Sequence, residues 1–150
     1  TARRRAMTRY FDTSFLVPLL ISEPRTAQVE KFFENLHEGE ILMFSRWGQL
    51  EFASVAARLF RMGEMSANDA QTVIGEFNRL LIQSFRLHTP AADDFRRARD
   101  FIGDFQTKLR GGDALHLAMA ANQNVDEIHT LDNGMLEAGN LLDLSVQGLD

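Results

Sequence analysis

The chain has 150 residues, 45% of them hydrophobic and 25% charged, the proportions of an ordinary globular protein with a core of its own. It has no cysteine, which excludes disulfide scaffolds, cysteine-based zinc sites, iron–sulfur clusters and thiol catalysis. The 16 Lys and Arg stand against 21 Asp and Glu, a net charge of −5, and three of the cations (Arg3, Arg4 and Arg5) lie in the first six residues. The remaining body is more acidic still, which argues against a broad basic nucleic-acid footprint unless carboxylates are gathered around metal ions. No apolar run approaches the roughly 18 residues of a membrane span, and no secretory signal opens the sequence, so a cytosolic protein with no membrane partner is expected.

Residues 1–6 have no periodicity and read as a basic arm or an expression remnant, with Met7 as a natural start. Residues 7–150 read as one domain. Arg9-Tyr-Phe predicts a buried strand that stops at Asp12-Thr-Ser, a helix N-cap signal. Helices are predicted from Phe15 to Ile21 and from Ala27 to Leu36, the second closing near Gly39. Ile41-Leu-Met-Phe44 does not alternate, which suits a parallel strand covered on both faces. A helix from about Gln49 to Met62 follows, and Ser66-Ala-Asn-Asp69 starts another with the stripe Ala70, Val73, Ile74, Phe77, Leu80 and Leu81. Phe85-Arg-Leu87 is a short strand. Thr89-Pro90 reads as the cap and first residue of a helix with Asp93 and Asp94 in its first turn. After Gly111-Gly112, Asp113 to Asn122 forms a compact apolar helix. Val125, Ile128 and Leu131 outline a strand ending at Asp132, and a helix near Met135–Ala138 and a strand near Leu144–Val146 finish the chain. Strands separated by helices throughout mean α/β with a largely parallel sheet.

Four acids fall where such a sheet binds ligands, beyond the carboxyl ends of strands. Asp12 closes the first strand, Glu51 is expected in the first turn of the helix after the second, Asp113 opens a helix, and Asp132 closes a strand. Each also has a plain structural explanation as a cap, a helix-dipole acid or a turn residue. Each is embedded in apolar sequence, however, and converging carboxylates repel unless cations neutralise them. Without cysteine, hard oxygen ligands point to Mg²⁺ or Mn²⁺.

The run Asp12-Thr-Ser-Phe-Leu-Val-Pro-Leu-Leu-Ile-Ser-Glu23-Pro resembles the opening of PIN-domain proteins of the VapC toxin type. Glu51 stands at that family's second acid, Arg110-Gly-Gly-Asp113-Ala-Leu-His-Leu-Ala118 resembles its third motif, and Thr130-Leu-Asp132 its fourth. The resemblance runs over residues 9–150, with the four acids in family order at spacings of 39, 62 and 19 residues. Two departures lie just after the last acid: Asn133-Gly134 replace the usual basic residues, and Met135 stands for an aromatic. The resemblance implies a three-layer α/β/α sandwich with a central, mostly parallel sheet. It also implies a Mg²⁺- or Mn²⁺-dependent endoribonuclease, the toxin of a toxin–antitoxin pair. Asp12 and Asp113 would hold the principal ion, Glu51 and Asp132 would complete the cluster, and Thr13, Ser14 and Thr130 would support it. RNA is then the substrate, a small VapB-like antitoxin the partner, and a homodimer the assembly.

His116, between Leu115 and Leu117, reads as a hydrogen-bonded packing histidine rather than a ligand. Asp93-Asp94 reads as helix N-terminal charge, Asp126-Glu127 as a solvated turn, and Arg96, Arg97 and Arg99 as a solvated helix face. The 12 Phe fit the inner stripes of helices. An alternative of another class is a non-catalytic PIN module that acts through partner assembly. An aspartyl-phosphate phosphohydrolase is excluded because Ser14 stands where its second Asp is required.

Overall fold

The computed structural model describes residues 6–149, so the basic arm expected over residues 1–6 lies, apart from Ala6, outside the described residues. Five strands form one sheet in the order β3-β2-β1-β4-β5, all neighbours parallel: β1 (Thr8–Phe11), β2 (Ile41–Ser45), β3 (Arg86–His88), β4 (Glu127–His129) and β5 (Val146–Gln147). The helices are α1 (Thr13–Leu20), α2 (Thr26–Glu34), α3 (Arg46–Arg61), α4 (Ala67–Ser84), α5 (Ala92–Gly103), α6 (Gly111–Asn122) and α7 (Asn133–Leu141). This is the expected α/β/α sandwich. Among the described residues no helix is long and apolar enough to cross a membrane.

Alternation along the strands sorts the core into two layers. Phe11 and Phe44 face one side, where Phe15, Leu16, Val29, Phe52, Phe77 and Leu81 of α1–α4 close over them. Tyr10, Met43, Ile128 and Val146 face the other, under Ala98 of α5, Ala114, Leu117 and Ala118 of α6, and Met135 and Ala138 of α7. Strand order reverses at β1, so the crevice of a parallel sheet falls beyond the C-terminal ends of β1 and β4.

Several local expectations need correction. α3 begins at Arg46 rather than Gln49, because Ser45 caps it by accepting the Gly48 N–H at 3.0 Å. Glu51 therefore sits in the second turn, beyond reach of a first-turn dipole effect. α5 begins after Pro90: Ala91 is its cap, the Asp94 carboxylate takes the Ala91 N–H at 2.8 Å, and Thr89 instead accepts a bond from Arg46 Nε at 3.0 Å. Asp94 is buried, bonded to His88 and Asn122 at 2.8 Å each, whereas Asp93 is exposed. β4 is shorter than expected, and Glu127 lies in it, paired with Arg9 at 2.5 Å, while Asp126 accepts from Thr8 N at 2.8 Å. Neither is a solvated turn residue. A 3₁₀ turn at Phe105–Thr107 had no periodic signal.

Candidate active site

Asp12 follows β1 as the N-cap of α1, its Oδ1 accepting the Phe15 N–H at 3.1 Å. Only 3% exposed, it also takes the Ser14 hydroxyl on Oδ1 at 2.7 Å and the Thr130 hydroxyl on Oδ2 at 2.5 Å. Those hydroxyls are fixed in turn, Ser14 Oγ by the Leu131 N–H at 2.9 Å and Thr130 Oγ1 by the Asp132 N–H at 3.0 Å. The ends of β1 and β4 are thus stitched together through the Asp12 carboxylate. Burial raises the pKa of Asp12, against the charge of His116 and its hydrogen bonds from Thr130, Ser14 and Phe15.

Asp132 caps α7, its Oδ1 accepting Gly134 N at 2.7 Å and Met135 N at 3.2 Å. Glu51 projects from α3 with Oε1 between Thr13 Oγ1, 2.8 Å away, and His116 Nε2, 2.5 Å away. Burial alone would raise its pKa, but the His116 hydrogen bond and charge, with the Thr13 bond, outweigh it and leave the pKa lowered.

Asp113 differs from the other three. It lies in the first turn of α6, whose N-cap is Arg110, and it caps nothing. Among the described residues no donor hydrogen-bonds its half-buried carboxylate. Its pKa is raised by burial and by the negative charge of Asp132, with Glu51 adding to the effect and His116 and Arg110 opposing it. Asp113 and Asp132 line one cleft of about 280 Å³ that also holds Lys108, Arg110 and Glu137. Gly112 lets α6 approach α3 here: a Cβ on it would lie 3.1 Å from Trp47 Cζ2 and 3.5 Å from Glu51 Oε2.

All seven residues singled out from the sequence (Asp12, Thr13, Ser14, Glu51, Asp113, Thr130 and Asp132) therefore fall at the strand ends, but as two linked subsets. Asp113 and Asp132 share the cleft; Asp12 and Glu51 are held beside it by hydroxyls and His116. Among the described residues no three His, Asp or Glu are gathered tightly enough to hold an ion. The donor set nonetheless fits a hard divalent cation, being all oxygen, with Asp113 crowded by like charge and unmatched by any donor among the described residues. Sequence reasoning read His116 as a packing histidine and missed Tyr10 and Trp47 as neighbours. His116 carried a signal, standing three residues after Asp113 on the same helix face. Tyr10 and Trp47 carried none.

The sequence profile of the PIN domain matches residues 9–141. The chain belongs to the PIN-domain family. Solved structures share the fold at low identity. VapC20 of Mycobacterium tuberculosis, a sarcin-ricin loop cleaving toxin, is 17% identical over 87% of this chain and 95% of its own, with a TM-score of 0.67. FitAcB of Neisseria gonorrhoeae is 16% identical over 94% and 97%, with a TM-score of 0.73. VapBC2 of Rickettsia felis, bound to a DNA fragment from its promoter, is 14% identical over 96% and 100%, with a TM-score of 0.72. No curated protein matches the sequence. In this PIN domain, family membership covers the segment from Arg9 to Leu141, which includes all four acids.

Proposed function

We propose that this PIN domain is a Mg²⁺- or Mn²⁺-dependent endoribonuclease and the toxin of a toxin–antitoxin pair. Asp113 is the observation that carries the reading: a half-buried carboxylate with no donor among the described residues, beside the charges of Asp132 and Glu51, is a group that a cation would neutralise. Asp12 and Asp113 would hold the principal ion, with Glu51 and Asp132 completing the set. When bound, the ion supplies Lewis-acid activation of water and charge stabilisation at the phosphodiester.

The chain's own residues do the positioning. Ser14, Thr130 and the Phe15 N–H keep Asp12 in one orientation, and Thr13 does the same for Glu51. The N-terminal turns of α1, α6 and α7 meet at the site and favour an anionic phosphate. Lys108 and Arg110 stand in the cleft with Asp113 and Asp132, so backbone phosphates meet cations locally although the chain is acidic as a whole. Two of the solved relatives, VapBC2 and the VapBC-1 of nontypeable Haemophilus influenzae, are toxin–antitoxin assemblies by name. A VapB-like antitoxin partner and a homodimer are proposed by that analogy. An apolar groove of about 630 Å³ beside the site, lined by Trp47, Pro90, Phe95, Ile102 and Leu115, is a surface that association would cover.

The test is purified protein added to total RNA with Mg²⁺ or with EDTA, followed by mapping of new 5′ ends, with Asp12→Asn and Asp113→Asn alongside. Cuts that need both the metal and the two carboxylates are expected. Cuts unchanged in folded mutants point to a contaminant and sink the assignment. A folded wild type with no metal-dependent cut points to the non-catalytic module.

A further inference from the structure

Behind Glu51 runs a buried chain of polar side chains that crosses from one core layer to the other. Tyr10 is fully buried, and its hydroxyl lies 2.7 Å from His116 Nδ1. A phenol keeps its hydrogen at neutral pH. Glu51 Oε1, a carboxylate oxygen with no hydrogen to give, lies 2.5 Å from His116 Nε2, so Nε2 donates to it. Nδ1 meets the phenol, accepting its hydrogen in the neutral ring and donating to its oxygen in the charged one. Thr13 donates to the same carboxylate oxygen from the other side at 2.8 Å. Oε1 is thereby saturated from within the fold. Oε2 remains on the side of α6, against Gly112.

A histidine kept only for packing would need its two nitrogens satisfied by any partners. Here one partner is a buried phenol at Nδ1, and the other is a carboxylate of the acid cluster at Nε2. His116 itself is 1% exposed, too deep to meet substrate. We propose that His116, held by Tyr10 at Nδ1, is a positioning residue that donates from Nε2, locks Glu51 through Oε1 and turns Oε2 toward the metal-binding side of the site. This rests on the reading of Glu51 as part of that site.

The two amide replacements separate positioning from packing. In His116→Gln the amide nitrogen can stand near Nε2 and still donate to Glu51. In His116→Asn it stands near Nδ1 and reaches only Tyr10. Both lose one buried bond, so thermal unfolding of the metal-free proteins should show similar losses. Mn²⁺ binding by calorimetry should fall about 10–100-fold in His116→Asn, as for other residues that orient a metal ligand, and stay near wild type in His116→Gln. Metal-dependent RNA cleavage should follow the same order. Adding His116→Asn to Glu51→Gln should cause no further loss, because the histidine acts through that carboxylate. Equal losses in the Asn and Gln variants, in step with their melting temperatures, overturn the proposal. So does a loss that multiplies in the double variant. Should His116→Asn fail to fold, Tyr10→Phe takes its place: weaker Mn²⁺ binding at an unchanged melting temperature supports the relay, and unchanged binding overturns it. A wild type that binds no Mn²⁺, or an Asp113→Asn variant that binds it as well as wild type, removes the site reading itself and the proposal with it.

Discussion

The two faces of the sheet are built from different materials. On the α1–α4 side the core is aromatic: Phe52 and Phe77 stack at 4.0 Å, and Phe11 packs against Phe15, Phe32, Phe33 and Phe85 with ring centroids 5.1–6.0 Å apart. On the α5–α7 side small residues stand among Tyr10, Leu117, Met119 and Met135: Ala114, Ala118, Ala120 and Ala138 are fully buried, and Gly139 lies so close to β5 that a Cβ would stand 2.2 Å from Val146 Cγ2. Large rings bury much apolar area per residue and supply stability. Small residues bring backbones together and leave little slack, so they fix position. The acids divide along the same line. Asp12 and Glu51 ride on helices over the aromatic layer, Asp113 on the helix over the small-residue layer, and the Tyr10–His116–Glu51 chain ties one to the other.

Breaking each side should therefore fail differently. The largest effect is expected at the seam. Asp113→Asn should cut metal-dependent RNA cleavage by about 10³-fold or more, the scale of an interaction worth several kcal/mol in the transition state. The same change should raise the melting temperature of the metal-free protein at pH 7. The sign follows from linkage: a raised folded-state pKa means that ionising Asp113 destabilises the native state as pH rises, and Asn cannot ionise. A variant that is both inactive and less stable would contradict the electrostatic reading.

Next comes the aromatic layer. Phe77→Ala removes the ring stacked on Phe52 and should cost about 3–5 kcal/mol in chemical denaturation, while cleavage per folded molecule is retained. A comparable loss of cleavage in the folded fraction would show that the layer also positions the site.

A titratable group inside that layer sharpens the contrast. His129 stacks on Phe11 at 5.1 Å, Arg9 Nη1 lies 3.0 Å from its Nε2, and burial together with the Arg9 charge lowers its pKa to about 4. It is neutral in both states above its ordinary pKa of about 6.5. As pH falls from there toward 4, the unfolded chain takes up a proton that the native state refuses. Stability should fall over that window by up to about 3 kcal/mol. Urea titrations at pH 7, 6 and 5 should show the loss, and His129→Phe should flatten it. An equal slope in His129→Phe would move the cause elsewhere.

The smallest effect is expected from crowding the other layer. Gly139→Ala should cost about 1–3 kcal/mol, the range for overpacking a tight contact, and should shift α7 with Asp132 at its start. Cleavage should drop by more than stability alone explains. If activity simply follows the folded fraction, the small-residue layer does not set the site.

Much of this was legible in the chain. The switch from apolar runs to 3.6-residue stripes fixed the order of strands and helices, and the absence of alternation in Ile41–Phe44 announced a parallel strand covered on both faces. Asp12 beside Thr13-Ser14 announced a cap, and all three residues hydrogen-bond at the site. Boundaries were less legible where a side chain far along the chain decided them. Thr89 looks like a cap, but Arg46 occupies its hydroxyl, and Asp94 governs the start of α5 instead. Glu127 looks solvated, but Arg9, 118 residues away, pairs with it at the start of β4.

The sequence by itself determined the family and the layered α/β/α order and marked four acids as candidates, because local periodicity, caps and motif spacing are written in near neighbours. Only the tertiary structure decided what each acid is bonded to. Asp12 and Asp132 cap helices, Glu51 is held by His116 and Thr13, and Asp113 has no donor among the described residues. Those distinctions depend on which side chains meet across the strand ends, where Tyr10, Glu51 and His116 come together from β1, α3 and α6. Burial and charge then act through space rather than along the chain.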